Sequence, residues 1–254
     1  VSGLAAARTR RSALKHAYRS YWFYGAPTKL VIRRTVDRFF AARPPSRRLL
    51  EIGGGTGMMA ATLERACRPA LMVSSDIEPT DATQLVCDAQ QLPFRDGAFD
   101  VVVGFELLEH LPNTDRCLRE VRRVLEPGGH VAMSLPFVFG IHDHQDFYRF
   151  TVQGLRKVFA AEGLPVLLVT KAGGISHTIL VLLTEYVRNV GLPDASGWRT
   201  QGWLRRLHLA ASTVVAAPLM LLSWAAFALD AVVDRDSRAP SGLVLIAAAE
   251  TVET

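Results

Sequence analysis

Four glycines within five residues, Gly53-Gly54-Gly55-Thr56-Gly57, directly follow the apolar run Leu49-Leu50-Glu51-Ile52 and precede a stretch predicted to be helical over Thr56–Cys67. A short strand that runs into glycines and then into a helix leaves few choices of fold. Glycine admits positive φ and lets a ligand come close to the backbone, and the first turn of the helix presents unpaired N–H groups. The turn is therefore a candidate binding site. By itself it does not name the ligand, because Gly55-Thr56-Gly57-Met58-Met59-Ala60 also satisfies the G-x-G-x-x-A form of a dinucleotide fingerprint.

The rest of the chain supplies the architecture. Pro27 reads as the first residue of a helix with Leu30, Val31, Val36, Phe39 and Phe40 on its apolar face, ended by the Ala41–Ser46 stretch. Predicted strands then follow at Arg48–Ile52, Ala70–Ser74, Gln84–Cys87, Phe99–Gly104, His130–Ser134, Pro165–Thr170 and Gly242–Ala249. Helices are predicted at Thr114–Leu125, stopped by Pro127-Gly128-Gly129, and at Thr151–Ala161, with Gly163 just beyond its end. Strand and helix in alternation predict an α/β fold, a mainly parallel sheet with helices on both faces.

Context narrows the ligand. Asp76 ends the second strand, where a carboxylate can accept hydrogen bonds from both hydroxyls of a ribose. Both a nicotinamide dinucleotide and S-adenosylmethionine require that, but no Tyr-x-x-x-Lys or other hydride-transfer constellation is present. Instead the chain continues with Cys87-Asp88-Ala89-Gln90-Gln91-Leu92-Pro93-Phe94, Phe99-Asp100-Val101-Val102-Val103, Glu109-His110-Leu111 and Glu126-Pro127-Gly128-Gly129. With these motifs in this order, residues 47–171 resemble the class I S-adenosylmethionine-dependent methyltransferases, most closely those acting on small molecules, quinones, sterols and glycans.

The resemblance implies a Rossmann-like, doubly wound fold. It has a seven-stranded, mostly parallel sheet with an antiparallel last strand, N-terminal helices, and an apolar helical insertion before that strand. It also implies S-adenosyl-L-methionine as cofactor and a role for each matching residue. Glu51 stands where the family has an acidic residue near the methionine end, and Gly53, Gly55 and Gly57 line the methionine moiety. Asp76 holds the ribose hydroxyls with Ile77 against the adenine. Asp88 accepts the adenine amino group, with Ala89 beside it; a simple Asx turn is the structural alternative for Asp88. Phe105 and Glu106 border the sulfonium, while His110 is expected to be a structural residue at a helix start. The Asn/Asp-Pro-Pro-aromatic signature of families that methylate DNA bases or glutamine is replaced by Gly104-Phe105-Glu106-Leu107, which points away from those targets.

The acceptor side is expected in the segment from Pro136 to Thr151, beyond the fifth strand. It resembles a Pro…His…Asp-aromatic-aromatic-Arg-aromatic-Thr stretch of methyltransferases encoded among cell-envelope sugar genes. His142 and His144 are the candidate general bases, and Asp146, Tyr148 and Arg149 the candidate substrate contacts. Two other readings stay open. In one, His142, Asp143, His144 and Asp146 ligate a metal ion, although their spacings fit no standard zinc pattern and no metal is expected. In the structural alternative Asp146 pairs with Arg149, Thr151 caps the next helix, and the histidines only line a wall.

Charge and hydropathy add a partner. Residues 1–48 hold 12 of the 29 Lys and Arg but only one of the 24 acidic residues, Asp37, so the remaining chain is net acidic. The same arm carries Tyr18, Tyr21, Trp22, Phe23 and Tyr24, a mixture suited to a membrane interface or a pyrophosphate-bearing substrate, with single-stranded nucleic acid or a merely solvated helix face as alternatives. Leu207 to Leu229 contains no Asp, Glu, Lys or Arg, but Pro218 interrupts it. A return strand at 242–249 is incompatible with one simple membrane span. A bent hairpin in peripheral membrane contact over 203–233, or packed on protein, is expected. The expected organisation is an N-terminal arm (1–46), a cofactor-binding core (47–172), the apolar insertion (173–241) and the final strand (242–254). Three scattered cysteines, Cys67, Cys87 and Cys117, suit a reducing compartment, and no secretory h-region is visible. The expected location is the cytoplasm, with the cytoplasmic face of the membrane as an alternative, and no nucleic-acid partner is expected. The function these features imply is O-methylation of an envelope glycan or lipid-linked saccharide. The alternatives are a quinone-type or other lipid C/O-methyltransferase, and a non-catalytic binding protein of the same fold in a membrane-associated complex.

Overall fold

A computed structural model describes residues 26–141, 143–189, 202–234 and 236–250. The chain divides into two compact units, a core unit of Val1–Phe137, Ile141–Ala172 and Gly242–Thr254, and a helical unit of Val138–Gly140 and Gly173–Ser241. The aromatic cluster of the N-terminal arm and His142 lie outside the described residues.

The core unit contains helix α1 (Ala26–Ala41), strand β1 (Arg48–Ile52), α2 (Ala60–Cys67), β2 (Leu71–Asp76), β3 (Leu85–Val86), β4 (Phe99–Phe105), a 3-10 turn (Leu108–His110), α3 (Thr114–Val124), β5 (Leu125–Pro136), α4 (Val152–Ala161), β6 (Val166–Ala172) and β7 (Gly242–Ala248). The sheet order is β3-β2-β1-β4-β5-β7-β6. Strands β1 to β5 pair in parallel, and β7 runs antiparallel between β5 and β6.

Alternation along the strands explains the layering. Leu50, Ile52, Val102, Val131, Met133, Leu243 and Leu245 point to one face, where they meet Leu118, Val121 and Val124 of α3 and Leu155 and Phe159 of α4. Leu49, Val101, Val103, Ala132, Val244 and Ile246 point to the other, against Ile32, Val36 and Phe40 of α1 and Leu63 and Ala66 of α2. With apolar residues on both faces, the central strands read as continuous hydrophobic runs, as a sheet covered on both sides requires.

Three boundaries differ from the sequence expectation, each for a local reason. Helix α2 begins at Ala60 rather than Thr56, because Gly57 has φ +74°, outside the helical region. Helix α3 ends at Val124, and Pro127-Gly128-Gly129 lies inside β5 instead of stopping the helix. Here β4 comes so close that a Cβ on Gly129 would stand 2.9 Å from the Asp100 carbonyl oxygen. Strand β2 runs beyond the expected Ser74 and ends at Asp76, as expected of that carboxylate.

In the helical unit, α5 (Ile175–Asn189) and α6 (Gly202–Val233) pack along one another. Pro218 lies within α6, so the helical pair is made by two helices and not by a fold-back at the proline. The start of α5 is capped from α6. The Asp230 Oδ2 accepts the N–H groups of Gly174 (3.1 Å) and His177 (2.8 Å), and the Asp234 Oδ2 accepts that of Ile175 (2.8 Å). These are the first-turn donors that a helix cannot satisfy internally. Among the described residues, no helix is long and apolar enough to cross a membrane.

Candidate active site

The parallel strands end at one edge of the sheet, the edge where open α/β sheets bind ligands. The glycine turn leaves β1 there. Gly53, Gly55 and Gly57 have φ of +70°, +53° and +74°. A Cβ on Gly55 would meet nothing within 4 Å, so open space lies above its backbone. Gly54 faces inward, where a Cβ would fall on the Ser74 hydroxyl and 3.0 Å from Glu51 Oε2. Glu51 is only 2% exposed and accepts a hydrogen bond from Ser74 Oγ at 3.1 Å. Its burial pushes the carboxyl up to about 7; the Ser74 hydrogen bond opposes that and the neighbouring Asp76 adds to it. The sequence-predicted Glu51 therefore lies beneath the turn and supports it.

Asp76 closes the turn from β2. Its Oδ2 accepts the Gly55 N–H at 2.8 Å and its Oδ1 the Glu78 N–H at 3.0 Å, and Thr80 Oγ1 donates to the Gly55 carbonyl. Ile77, next in the chain, leaves 65% of its surface in solvent. Asp88 forms the Asx turn foreseen as its structural role, its Oδ1 accepting the Gln90 N–H at 2.8 Å, and Ala89 is buried beside it. That turn leaves the second carboxylate oxygen, Oδ2, outside the backbone bond.

The turn after β4 carries the densest electrostatics. Gly53 and Gly104 both abut Leu107, so this turn lies against the glycine turn. Phe105 is half-buried against the core. Glu106 follows it with φ 52°, a left-handed backbone rare for a residue with a side chain. Its N–H donates to the Ser134 carbonyl at 2.9 Å, and the Ser134 hydroxyl donates to Glu106 Oε1 at 2.7 Å. Loss of water pushes the Glu106 carboxyl up to about 7, opposed by the Ser134 hydrogen bond and the charges of Lys29 and Arg149. Lys29, from α1, is lowered to about 8 by burial and by Arg33, against the attraction of Glu106.

Glu109 is fully buried, and neither of its carboxyl oxygens has a hydrogen-bond partner. Burial and the Glu106 charge drive it well above the ordinary carboxylate range. Its neighbour His110 accompanies it in the 3-10 turn. The His110 Nδ1 lies 2.7 Å from the Gln145 carbonyl, which can only accept, so that nitrogen carries the proton. His110 thus serves as a structural tie.

The Pro136–Thr151 segment shows several ties. Arg149 pairs with Asp146 through both guanidinium nitrogens, one contact being 2.7 Å. Tyr148 OH donates to the Pro112 carbonyl at 3.1 Å, and the Thr151 hydroxyl accepts the Gly154 N–H at 3.0 Å as the cap of α4. His144 is exposed, its N–H held by the Asp143 carboxylate at 2.6 Å. Among the described residues no three His, Cys, Asp or Glu side chains are placed to hold a metal ion. Sequence reasoning named Glu106 but passed over Lys29, Ser134 and Glu109. The i, i+3 spacing of Glu106 and Glu109 across a tight turn was the available signal.

A sheet of this order, with antiparallel β7, a glycine turn after β1 and a carboxylate ending β2, defines the Rossmann-like methyltransferase fold. Residues 50–133 match the protein family described as "Methyltransferase domain", and through this segment the chain is similar to the class I S-adenosylmethionine-dependent methyltransferases. S-adenosyl-L-methionine is the cofactor typical of that family. Over 141 residues the chain is 33% identical to malonyl-[acyl-carrier protein] O-methyltransferase of Geobacter sulfurreducens, covering 50% of this chain and 53% of that protein. Over 106 residues it is 37% identical to the ubiquinone/menaquinone biosynthesis C-methyltransferase UbiE of Ralstonia pickettii, covering 36% and 44%. The chain spans about half the length of the curated relatives it matches. A chain in the complex between the Haloferax volcanii Trm112 methyltransferase activator and a methyltransferase shares the fold at a TM-score of 0.58 and 16% identity, over 96% of this chain and 97% of that one.

Proposed function

We propose that this chain transfers a methyl group from S-adenosyl-L-methionine to a hydroxyl of an amphipathic acceptor, an envelope glycan or lipid-linked saccharide. The observation that carries the reading is the open cradle over Gly55, tied to Asp76 and flanked by the polar turn at Glu106. The residues fit the cofactor. Gly55 leaves room for the methionine end between Gly53 and Gly57, Asp76 retains lone pairs for the ribose hydroxyls, Ile77 offers an apolar wall to the adenine, and Asp88 an acceptor for its amino group. When bound, the cofactor supplies an electrophilic methyl carbon on a sulfonium. The chain's own part is to align donor and acceptor and to exclude water, since in-line displacement depends on geometry. In this reading Asp146, Tyr148 and Arg149 border the acceptor, and His142 and His144 lie in the same segment.

The helical unit supports an amphipathic acceptor met at a membrane surface. Ile175, Ile179, Leu183 and Tyr186 are exposed along one stripe of α5, and Val214, Leu221, Leu222, Leu229 and Val232 are exposed on α6. In this reading the unit makes peripheral membrane contact, and the chain works in the cytoplasm. A second reading, a quinone or other lipid as acceptor, is favoured by the similarity to the relative named for ubiquinone/menaquinone biosynthesis.

The test incubates the protein with methyl-labelled S-adenosylmethionine and a cell extract split into polar-lipid, apolar-lipid and aqueous fractions. Label in the polar-lipid or glycan fraction is expected, and label in the apolar fraction selects the quinone reading. Cofactor binding with no label in any fraction favours a non-catalytic role. In a parallel flotation experiment, Leu221→Glu/Leu222→Glu/Val232→Glu is expected to release the protein from anionic lipid vesicles, and unchanged flotation removes the membrane contact.

A further inference from the structure

We propose that the Glu106 carboxylate is the group that takes the proton from the acceptor hydroxyl, with Glu109 as the buried carboxyl behind it. The inference rests on the methyl-transfer reading above and adds to it the group that handles the proton.

Placement comes first. Glu106 stands immediately after β4, at the ligand edge of the sheet, in a turn that packs against the glycine turn through Leu107. Its left-handed backbone places the N–H on the Ser134 carbonyl and its Oε1 on the Ser134 hydroxyl. A non-glycine residue held at this φ is strained and persists only where its surroundings enforce it. With Oε1 held by Ser134, the lone pairs of Oε2 remain for a ligand.

The surrounding charges set its protonation. Lys29 on α1 and Arg149 in the segment before α4 favour the ionised form, as does the Ser134 hydrogen bond from β5. Glu109 and His110 in the 3-10 turn, and Asp146 beside Arg149, complete the ring of titratable groups. Glu109 is the independent observation. A fully buried carboxyl with neither oxygen hydrogen-bonded is costly when charged and stays neutral beside an ionised neighbour. The negative charge of the pair therefore resides on Glu106, the member whose Oε1 accepts a hydrogen bond from Ser134. That arrangement suits a base working near neutrality.

The step balances. The acceptor O–H bond breaks, and its proton passes to the Glu106 carboxylate, which becomes a carboxylic acid. The acceptor oxygen forms a bond to the methyl carbon as the C–S bond breaks, with that electron pair remaining on sulfur. A methyl ether, a neutral thioether and a protonated Glu106 result, and the proton then leaves to water. The exposed His144 is not required.

The experiment uses the full chain and its Glu106→Gln variant. Methyl-labelled S-adenosylmethionine is presented with whichever extract fraction the unaltered chain labels, and S-adenosylhomocysteine affinity is measured by calorimetry. Glu106→Gln is expected to slow label transfer at least about 100-fold, the lower range for general-base catalysis. Its thermal midpoint should hold, and its affinity should stay within about threefold in Kd. A Glu106→Gln rate within about threefold of the unaltered chain overturns the proposal. So does an affinity loss as large as the rate loss, since Glu106 would then be a cofactor-holding residue. Carboxyl carbon NMR of the unliganded chain gives a readout independent of turnover. Two coupled steps are expected, with the Glu109 step moving to lower pH in Glu106→Gln. A Glu106 carboxyl that titrates below pH 5 overturns the assignment even if the chain methylates. Failure of the unaltered chain to label any fraction removes the methyl-transfer reading first, and the inference with it.

Discussion

The Asp76 carboxylate spans two turns at once: Oδ2 accepts the Gly55 N–H at 2.8 Å while Oδ1 accepts the Glu78 N–H at 3.0 Å. One side chain thus holds the glycine turn in place and faces the space a ribose is expected to fill. Asp76→Ala removes both functions. Two charge-assisted hydrogen bonds at about 1.5–3 kcal/mol each correspond to a loss of at least about 100-fold in S-adenosylmethionine affinity. Calorimetry measures the loss, and far-UV circular dichroism is expected to show the fold retained. Unchanged affinity would mean that β2 does not deliver the ribose ligand.

Adjacent glycines should fail in different ways. In Gly54→Ala the new methyl strikes the Ser74 hydroxyl and crowds Glu51, so the expected effect is lost stability, about 1–3 kcal/mol by chemical denaturation. In Gly55→Ala nothing lies within 4 Å, and the φ of +53° costs only about 1–2 kcal/mol. The methyl then occupies the open cradle, so Gly55→Ala should lose more cofactor affinity for a comparable loss of stability. Equal affinity loss in both variants would argue against a ligand above Gly55.

Glu51 makes stability depend on pH. Burial holds its carboxyl at about 7 in the folded protein against an ordinary 4.5, so the folded state keeps a proton that the unfolded chain has already released. The associated stability is complete below about pH 4.5 and is lost as pH rises through 7, roughly 3 kcal/mol in all. Glu51→Gln lacks this titration. Its melting temperature relative to the unaltered chain should therefore climb between pH 5 and about 8 and then level off. A constant difference across that range contradicts a raised Glu51.

The helical unit should depend on Asp230. Its Oδ2 receives two N–H groups from the start of α5, and its Oδ1 is buried without a partner. Asp230→Ala strands both donors and is expected to destabilise the unit by about 1–3 kcal/mol per unsatisfied group. Hydrogen exchange at the Gly174 and His177 amides should accelerate strongly in Asp230→Ala. Asp230→Asn, which keeps an acceptor oxygen, should accelerate it less.

Much of the core could be read from sequence because its pattern is local. The Leu49–Ile52 run, the glycines and the strand-like Phe99–Gly104 segment specify their own geometry, and the sheet accepts them with both faces covered. Reading failed where a distant strand decides. Pro127-Gly128-Gly129 looks like a helix stop, but it forms the irregular step between the two stretches of β5 that pair with β4, and Gly128 and Gly129 bond to Ala249 beyond β7. The candidate site divides in the same way. Asp76 and the glycines stand at positions set by spacing. Lys29 arrives from a helix almost eighty residues before Glu106 in the chain, and no pattern near either residue announces the meeting. That both Glu109 oxygens lack partners is a property of packing, to which spacing is blind.

Among the described residues, strand β6 pairs with no strand but β7, and β7 is made only after the whole helical unit. During synthesis at about 5–20 residues per second, β6 waits several seconds on the ribosome with its edge unpaired while residues 173–241 emerge. The parallel strands β1 to β5, and with them the glycine turn and the carboxylates of the site, can assemble in that interval. The far edge of the sheet cannot. A nascent chain stalled before residue 242 is therefore expected to hold the ligand-binding strands together while leaving both β5 and β6 open to pairing with another molecule.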